Sequence, residues 1–186
     1  VEFITGVVFV GVFLKIGLTP FLPLYLVISS LLIAMAVYDF KHKIIPDGMV
    51  FSFIVLSLVV LFYYNPIKEI FNYPYTMELL AGPLLFSFFA FFWLISGGKW
   101  MGFGDAKLAL GVGWLLGFSG GIFSIALAFW IGAIVSLVIL GIQKIYHTKT
   151  GLTMKSEVPF APFIILALFI QFFTEWNLGS LMNFLS

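Results

Sequence analysis

Apolar residues run along this chain in long uninterrupted blocks, and the polar residues collect in the gaps between them. The blocks are Phe3 to Ile16, Phe21 to Tyr38, Met49 to Tyr64, Leu79 to Ser96, Asp105 to Gly117, Ile122 to Ile142 and Pro159 to Phe173. A helix that crosses a bilayer needs about 20 predominantly apolar residues, so most blocks are long enough, while the first and fifth are short. The punctuation between them is that of helix ends. Gly17 and Pro20 close the first block, and Asp39-Phe40-Lys41-His42-Lys43 closes the second with the densest charge in the chain. Pro46-Asp47-Gly48 opens the third, with Pro tolerated in a first turn and Asp suited to capping free amides. Asn65 to Glu78 reads as a loop whose Phe71, Tyr73 and Tyr75 suit the interfacial belt. Gly97-Gly98-Lys99 ends the fourth block. The fifth carries Gly111 and Gly113 and is expected to pack deep among its neighbours, with Ser119-Gly120-Gly121 turning it into the sixth. Gln143 to Glu157 is polar, and Pro159 and Pro162 fall in the first turns of the last helix. The pattern predicts an all-α polytopic transmembrane helical bundle of about six to seven crossings. No repeat or linker divides it, so residues 1–186 are expected to form a single membrane-embedded domain.

Composition narrows the function classes. Hydrophobic residues make up 62% of the chain and charged ones 9%, against about 25% charged in globular proteins. The 186 residues leave no room for a sizeable soluble domain, so the chemistry belongs in or at the edge of the membrane. The net charge is +1, and the nine cations are all Lys, scattered rather than set in a phosphate-binding stripe. Nucleic acid is therefore not an expected partner. There is no Cys, and His42 and His147 make a poor ligand set, so no metal site is expected. The lysines do fix an orientation. With the Asp39 end facing the cytoplasm, the loops 39–48, 97–105 and 143–158 share that side, which is assigned Lys41, Lys43, Lys99, Lys107, Lys144, Lys149 and Lys155, leaving Lys15 and Lys68 opposite. Such an excess marks cytoplasmic loops. The expected location is the inner (cytoplasmic) membrane, multi-pass, with both Asp39 and Asp105 at the cytoplasmic face.

Those two acids are the candidates for chemistry. A carboxylate among apolar helices costs about 2.5–3.5 kcal/mol at the bilayer centre, which makes a functional role the default reading. Asp39 and Asp105 stand at helix ends on one side, separated by two crossings that return the chain to its starting face. Two carboxylates held close in a poorly solvated pocket cannot both ionise cheaply, so they couple and hold one proton between them. That is the arrangement of an aspartic protease. Gly102 and Gly104, just before Asp105, remove side-chain bulk and shape the backbone there. Taken singly, each residue has a plainer reading. Asp105 would serve as a helix cap and Asp39 as a solvated loop residue; Asp47 is explained by capping. Lys107 reads either as a cation snorkelling to the interface or as a group tuning Asp105 or meeting the substrate.

Several stretches resemble the type IV prepilin peptidases, members of the Gly-x-Gly-Asp class of membrane aspartic proteases. Tyr38-Asp39 followed by Lys41, Lys43, Ile44, Ile45, Pro46 and Asp47 is similar to that family's first aspartate motif. Gly102-Phe103-Gly104-Asp105-Ala106-Lys107-Leu108, with Gly113, Trp114, Leu115 and Gly117 beyond it, resembles the second. Pro159-Phe160-Ala161-Pro162-Phe163 is similar to the start of the family's final helix, and Glu2-Phe3-Ile4-Thr5-Gly6 to the segment leading into its peptidase core.

The resemblance implies a membrane aspartic endopeptidase that removes the short basic leader of type IV prepilins or pseudopilins at the cytoplasmic face. Asp39 and Asp105 would be its catalytic pair, with Gly102, Gly104 and Lys107 shaping the site and no cofactor for peptide cleavage. Many bacterial members also N-methylate the new terminus from S-adenosylmethionine through an upstream cysteine-bearing segment. That segment is absent from this sequence, which has no Cys, so methylation by this chain is not expected without residues before Val1. Expected partners are the prepilin or pseudopilin substrate and membrane lipid. The substrate helix must partly unwind to present its carbonyls, and Gly97-Gly98 and Gly102-x-Gly104 flank the place for it. Two alternatives use the same acids. A presenilin or signal-peptide-peptidase type protease shares Tyr-Asp and Gly-x-Gly-Asp but carries Pro-Ala-Leu near its last helix, where this chain has Pro159-Phe160-Ala161-Pro162. A proton-coupled transporter would use the aspartates as a relay.

Overall fold

A computed structural model describes residues 1–64, 75–146 and 159–175 of the chain. Phe71, Tyr73, Lys68, Lys149, Lys155 and His147, which figured in the loop, orientation and metal readings, lie outside those residues. The described residues form α-helices and no strand: α1 (Glu2–Ile16), α2 (Leu22–His42), α3 (Asp47–Tyr64), α4 (Tyr75–Ser96), α5 (Phe103–Tyr146) and α6 (Ala161–Thr174). Leu22–His42, Asp47–Tyr64, Tyr75–Ser96 and Phe103–Ile139 are long and apolar enough to cross a membrane. The protein is a helical, multi-pass membrane bundle.

The continuous span of α5 conceals a reversal. Gly117 has φ 73° and ψ −175°, outside the helical region and in a conformation only glycine adopts freely. A Cβ on Gly121 would lie 3.3 Å from the Cα of Gly113, although eight residues of straight helix span about 12 Å. The two limbs of α5 therefore fold back on each other, and the described chain contains seven helical segments, as the seven apolar blocks predict. The turn falls at Gly117, where the fifth block was expected to end, just ahead of Ser119-Gly120-Gly121. Glu78 secures it, because its Oε2 accepts the Phe118 N–H at 3.0 Å, meeting one of the amides left free where the second limb begins.

The first limb of α5 is the centre of the bundle. Ala106, Leu108, Ala109 and Val112 are fully buried on it, among Phe53 of α3, Phe89 of α4, Leu32 and Met35 of α2, and Ile164 and Leu168 of α6. Close approach is possible because Gly113 faces the backbone of Ala81 and Gly82, where even a methyl group would sit 2.6–2.7 Å from main-chain atoms. This is the small-residue packing that membrane helices use when no hydrophobic gain separates helix from lipid. Pro83 inside α4 lacks the N–H that would bond the Leu79 carbonyl one turn earlier. Trp114 compensates by donating its indole N–H to Leu79 O at 2.9 Å. The other helix ends follow local chemistry: Pro23 and Pro162 occupy first turns, and Lys43 and Glu175 close α2 and α6 in left-handed conformations.

Alternating the helices through the bundle puts the end of α2, the starts of α3, α5 and α6, and the end of α4 on one side. The opposite side holds Lys15, which pairs with Glu175 at 2.7 Å and donates to the Phe172 carbonyl. Lys15 keeps the exposed Glu175 carboxyl below the usual glutamate range through that hydrogen bond and its charge.

Candidate active site

Asp39 occupies the last turn of α2 and Asp105 the first turn of α5, and both carboxyl groups are buried, at 4% and 6% exposure. Both line one cavity of about 1080 Å³ at the lysine-bearing end, beneath the arch 43–46 and the segment 98–102. The negative charge of Asp39 acts directly on Asp105, so the structure brings together the two acids that the topology predicts should meet.

Each carboxyl group meets a backbone amide at the start of a helix, its own for Asp105 and α6 for Asp39. The Ala161 N–H, in the first turn of α6, serves Asp39, and the Gly102 N–H serves Asp105. Gly102 immediately precedes α5 and Asp105 is its third residue, the spacing at which an acidic side chain reaches back to the cap amide. Asp105 thus does take part in capping, from inside the helix and not from the cap position. Among the described residues, Asp39 keeps one oxygen, Oδ2, buried and without a hydrogen-bond partner. A buried carboxylate oxygen left unpaired is costly, and here it adjoins the cavity shared with Asp105.

The other expected site residues fall at the same cavity. Gly104 allows the arch to close: a Cβ there would lie 3.1 Å from the Cβ and Cδ1 of Ile45. Gly104→Ala should accordingly press the arch away from Asp105 and destabilise the bundle by about 1–3 kcal/mol. Ile45→Ala should relieve the defect when combined with it, and unfolding of the three variants in mixed micelles provides the check. A Cβ on Gly102 would touch only Asp105 Oδ2 and the Gly104 N, both at 3.9 Å, so its role is to leave its N–H accessible and not to admit a neighbour. Gly97 and Gly98 both have positive φ, which forms the tight turn leaving α4.

Lys107 reaches an acid on a neighbouring helix. Its ammonium lies 2.6 Å from Asp47 Oδ1 and 5.3 Å from the ring centroids of both Phe51 and Phe103. It makes no ion pair with Asp105, as expected for residues two apart on a helix, which point to different sides. Asp47 is the first residue of α3 with Pro46 O accepting the Met49 and Val50 amides, and its carboxylate engages Lys107 in place of capping. Sequence reasoning missed this partnership, together with the Ile45 contact and the Ala161 donor. The only signal for the last was the pair of prolines around Phe160-Ala161, which leaves a helix start free to turn its amides outward.

A model of the type IV leader peptidase family matches residues 26–137, a stretch that contains Asp39, Asp47, Asp105 and Lys107. The chain belongs to that family. Curated relatives agree with the placement. The chain is 28% identical over 171 residues to a prepilin leader peptidase/N-methyltransferase of Dichelobacter nodosus, covering 86% of this chain and 51% of that protein. It is 28% identical over 153 residues to a protein of the same description from Xanthomonas campestris pv. campestris, covering 80% of this chain and 48% of that one. This member of the leader peptidase family therefore spans about half the length of the curated relatives it matches. No solved structure matches it.

Proposed function

We propose that this chain is an aspartic endopeptidase that cuts the short basic leader from type IV prepilins or pseudopilins, using Asp39 and Asp105. The observation that carries the proposal is the pair of buried carboxyl groups lining one cavity in a chain of the leader peptidase family. One carboxylate takes a proton from water, whose oxygen attacks the scissile carbonyl carbon, while the protonated partner donates a hydrogen bond to the carbonyl oxygen. Collapse of the tetrahedral intermediate breaks the C–N bond, and the leaving amine takes up a proton. The unpartnered Oδ2 of Asp39 is a natural acceptor for such a water. A site built this way asks for no cofactor in peptide cleavage. The methyl transfer named in the curated relatives is assigned to no residue of this chain.

The reading places the cavity at the cytoplasmic face of the inner membrane. Lys41, Lys43, Lys99 and Lys107 lie at its end of the bundle and Lys15 at the other, which supports that orientation under the positive-inside rule. The test is co-reconstitution of the protein with a prepilin in lipid vesicles, followed by mass spectrometry of the product. Loss of a short N-terminal basic leader supports the proposal, and an intact prepilin under conditions where the peptidase remains folded refutes it.

A further inference from the structure

The arch between α2 and α3 connects the catalytic candidates. Asp39 accepts the Lys43 N–H at its carbonyl, 2.8 Å away, and Lys43 then leaves the helix in the left-handed region with φ 54°. Ile44, Ile45 and Pro46 follow and deliver Asp47 to the start of α3. Two contacts fasten this arch to the first two turns of α5, the helix that carries Asp105: Ile45 against Gly104, and Asp47 with Lys107. The second contact is unlike an ordinary surface ion pair. The Lys107 side chain is 18% exposed and its ammonium is flanked by the rings of Phe51 and Phe103, whereas Asp47 is 65% exposed. A surface pair contributes little, but removing one partner of a pair whose other charge is largely covered leaves that charge uncompensated and forces a rearrangement.

We infer that the Lys107–Asp47 pair is a positioning latch, which holds the 43–47 arch against α5 and so sets the separation of the Asp39 and Asp105 carboxyl groups. Neither residue touches the reacting atoms. The inference rests on the peptidase reading for its kinetic consequence alone, since the latch is also a statement about distance. Misplacement of catalytic groups by about 1 Å costs up to about a hundredfold in rate, so the pair is worth far more to turnover than to binding.

The experiment uses Lys107→Met, Asp47→Ala and the exchanged double variant Asp47→Lys/Lys107→Asp, all in the full chain in lipid vesicles. With a prepilin substrate, each single variant should lose about tenfold or more in kcat with KM within about twofold of wild type, and the exchanged variant should recover most of the loss. Because the chain contains no Cys, spin labels placed at Phe40→Cys and Trp100→Cys, both exposed residues flanking the site, report the geometry without any substrate. Their distance distribution should broaden in the single variants and narrow again in the exchanged one. A distribution unchanged by Lys107→Met overturns the latch, whether or not any prepilin is cut. An exchanged variant no better than the singles also overturns it. So does a rise in KM with unchanged kcat in Asp47→Ala, which would make Asp47 a substrate-binding acid. If wild type fails to cut while the distances respond as described, the peptidase reading fails and the latch stands.

Discussion

Asp105→Asn is expected to abolish leader cleavage, by at least about a thousandfold in kcat, while leaving the bundle intact. The side chain keeps its shape and can still receive the Gly102 N–H through its amide oxygen, so neither the cavity nor the start of α5 need change. What disappears is the exchangeable proton, and with it the ability to complement Asp39. Asp39→Asn should be as damaging, because the two groups divide one task. For the same reason the double variant should be scarcely worse than either single one, as residues that act as a unit lose function non-additively. Product formation followed by mass spectrometry, with tryptophan fluorescence and gel filtration confirming folding, provides the measurement. Retention of more than a tenth of wild-type activity by either single variant would remove the basis for a two-carboxylate mechanism.

Gly113→Ala should have the largest effect on stability. The new methyl group would meet the main chain of Ala81 and Gly82 at 2.6–2.7 Å, and backbone in two packed helices cannot yield as a flexible side chain can. The first limb of α5 must then back away from α4, disturbing both the Trp114–Leu79 hydrogen bond and the fold-back at Gly117. Overpacking of this kind costs about 1–3 kcal/mol. Gly11→Ala is the natural comparison, since its methyl group would meet only the outer edge of the Phe173 ring, at 2.9 Å, and should cost much less. Reversible unfolding in mixed micelles, titrated with SDS, separates the two. Equal losses would show that the glycine contact between α4 and α5 contributes nothing special.

Much of this was legible in the chain itself. Membrane helices declare themselves through length and hydropathy, and a chain that crosses twice between two acids must return them to one side; the positions of Asp39 and Asp105 follow from counting. The reversal in α5 was legible as the end of the fifth block at Gly117, although Ser119-Gly120-Gly121 looks like the turn while the decisive backbone conformation belongs to Gly117. Its selection depends on Glu78, some forty residues earlier, whose carboxylate supplies the cap. The Asp47–Lys107 pair was hidden for a similar reason. Asp47 after Pro46 satisfies every local criterion for a cap, and only the juxtaposition of two helix starts offers it a better partner. Pro83 is the converse case, a helix breaker in the middle of a helix whose tolerance rests on an indole from another element.

The fold-back at Gly117 leaves the first limb of α5 only about 15 residues long, or ~22 Å, whereas the hydrocarbon interior of a bilayer is about 30 Å deep. A limb so short cannot reach from one headgroup layer to the other. With its far end held by Glu78, such a limb cannot bring the acid-bearing end out to the second headgroup layer, and on the peptidase reading a substrate peptide would have to dip below the phosphates to meet it.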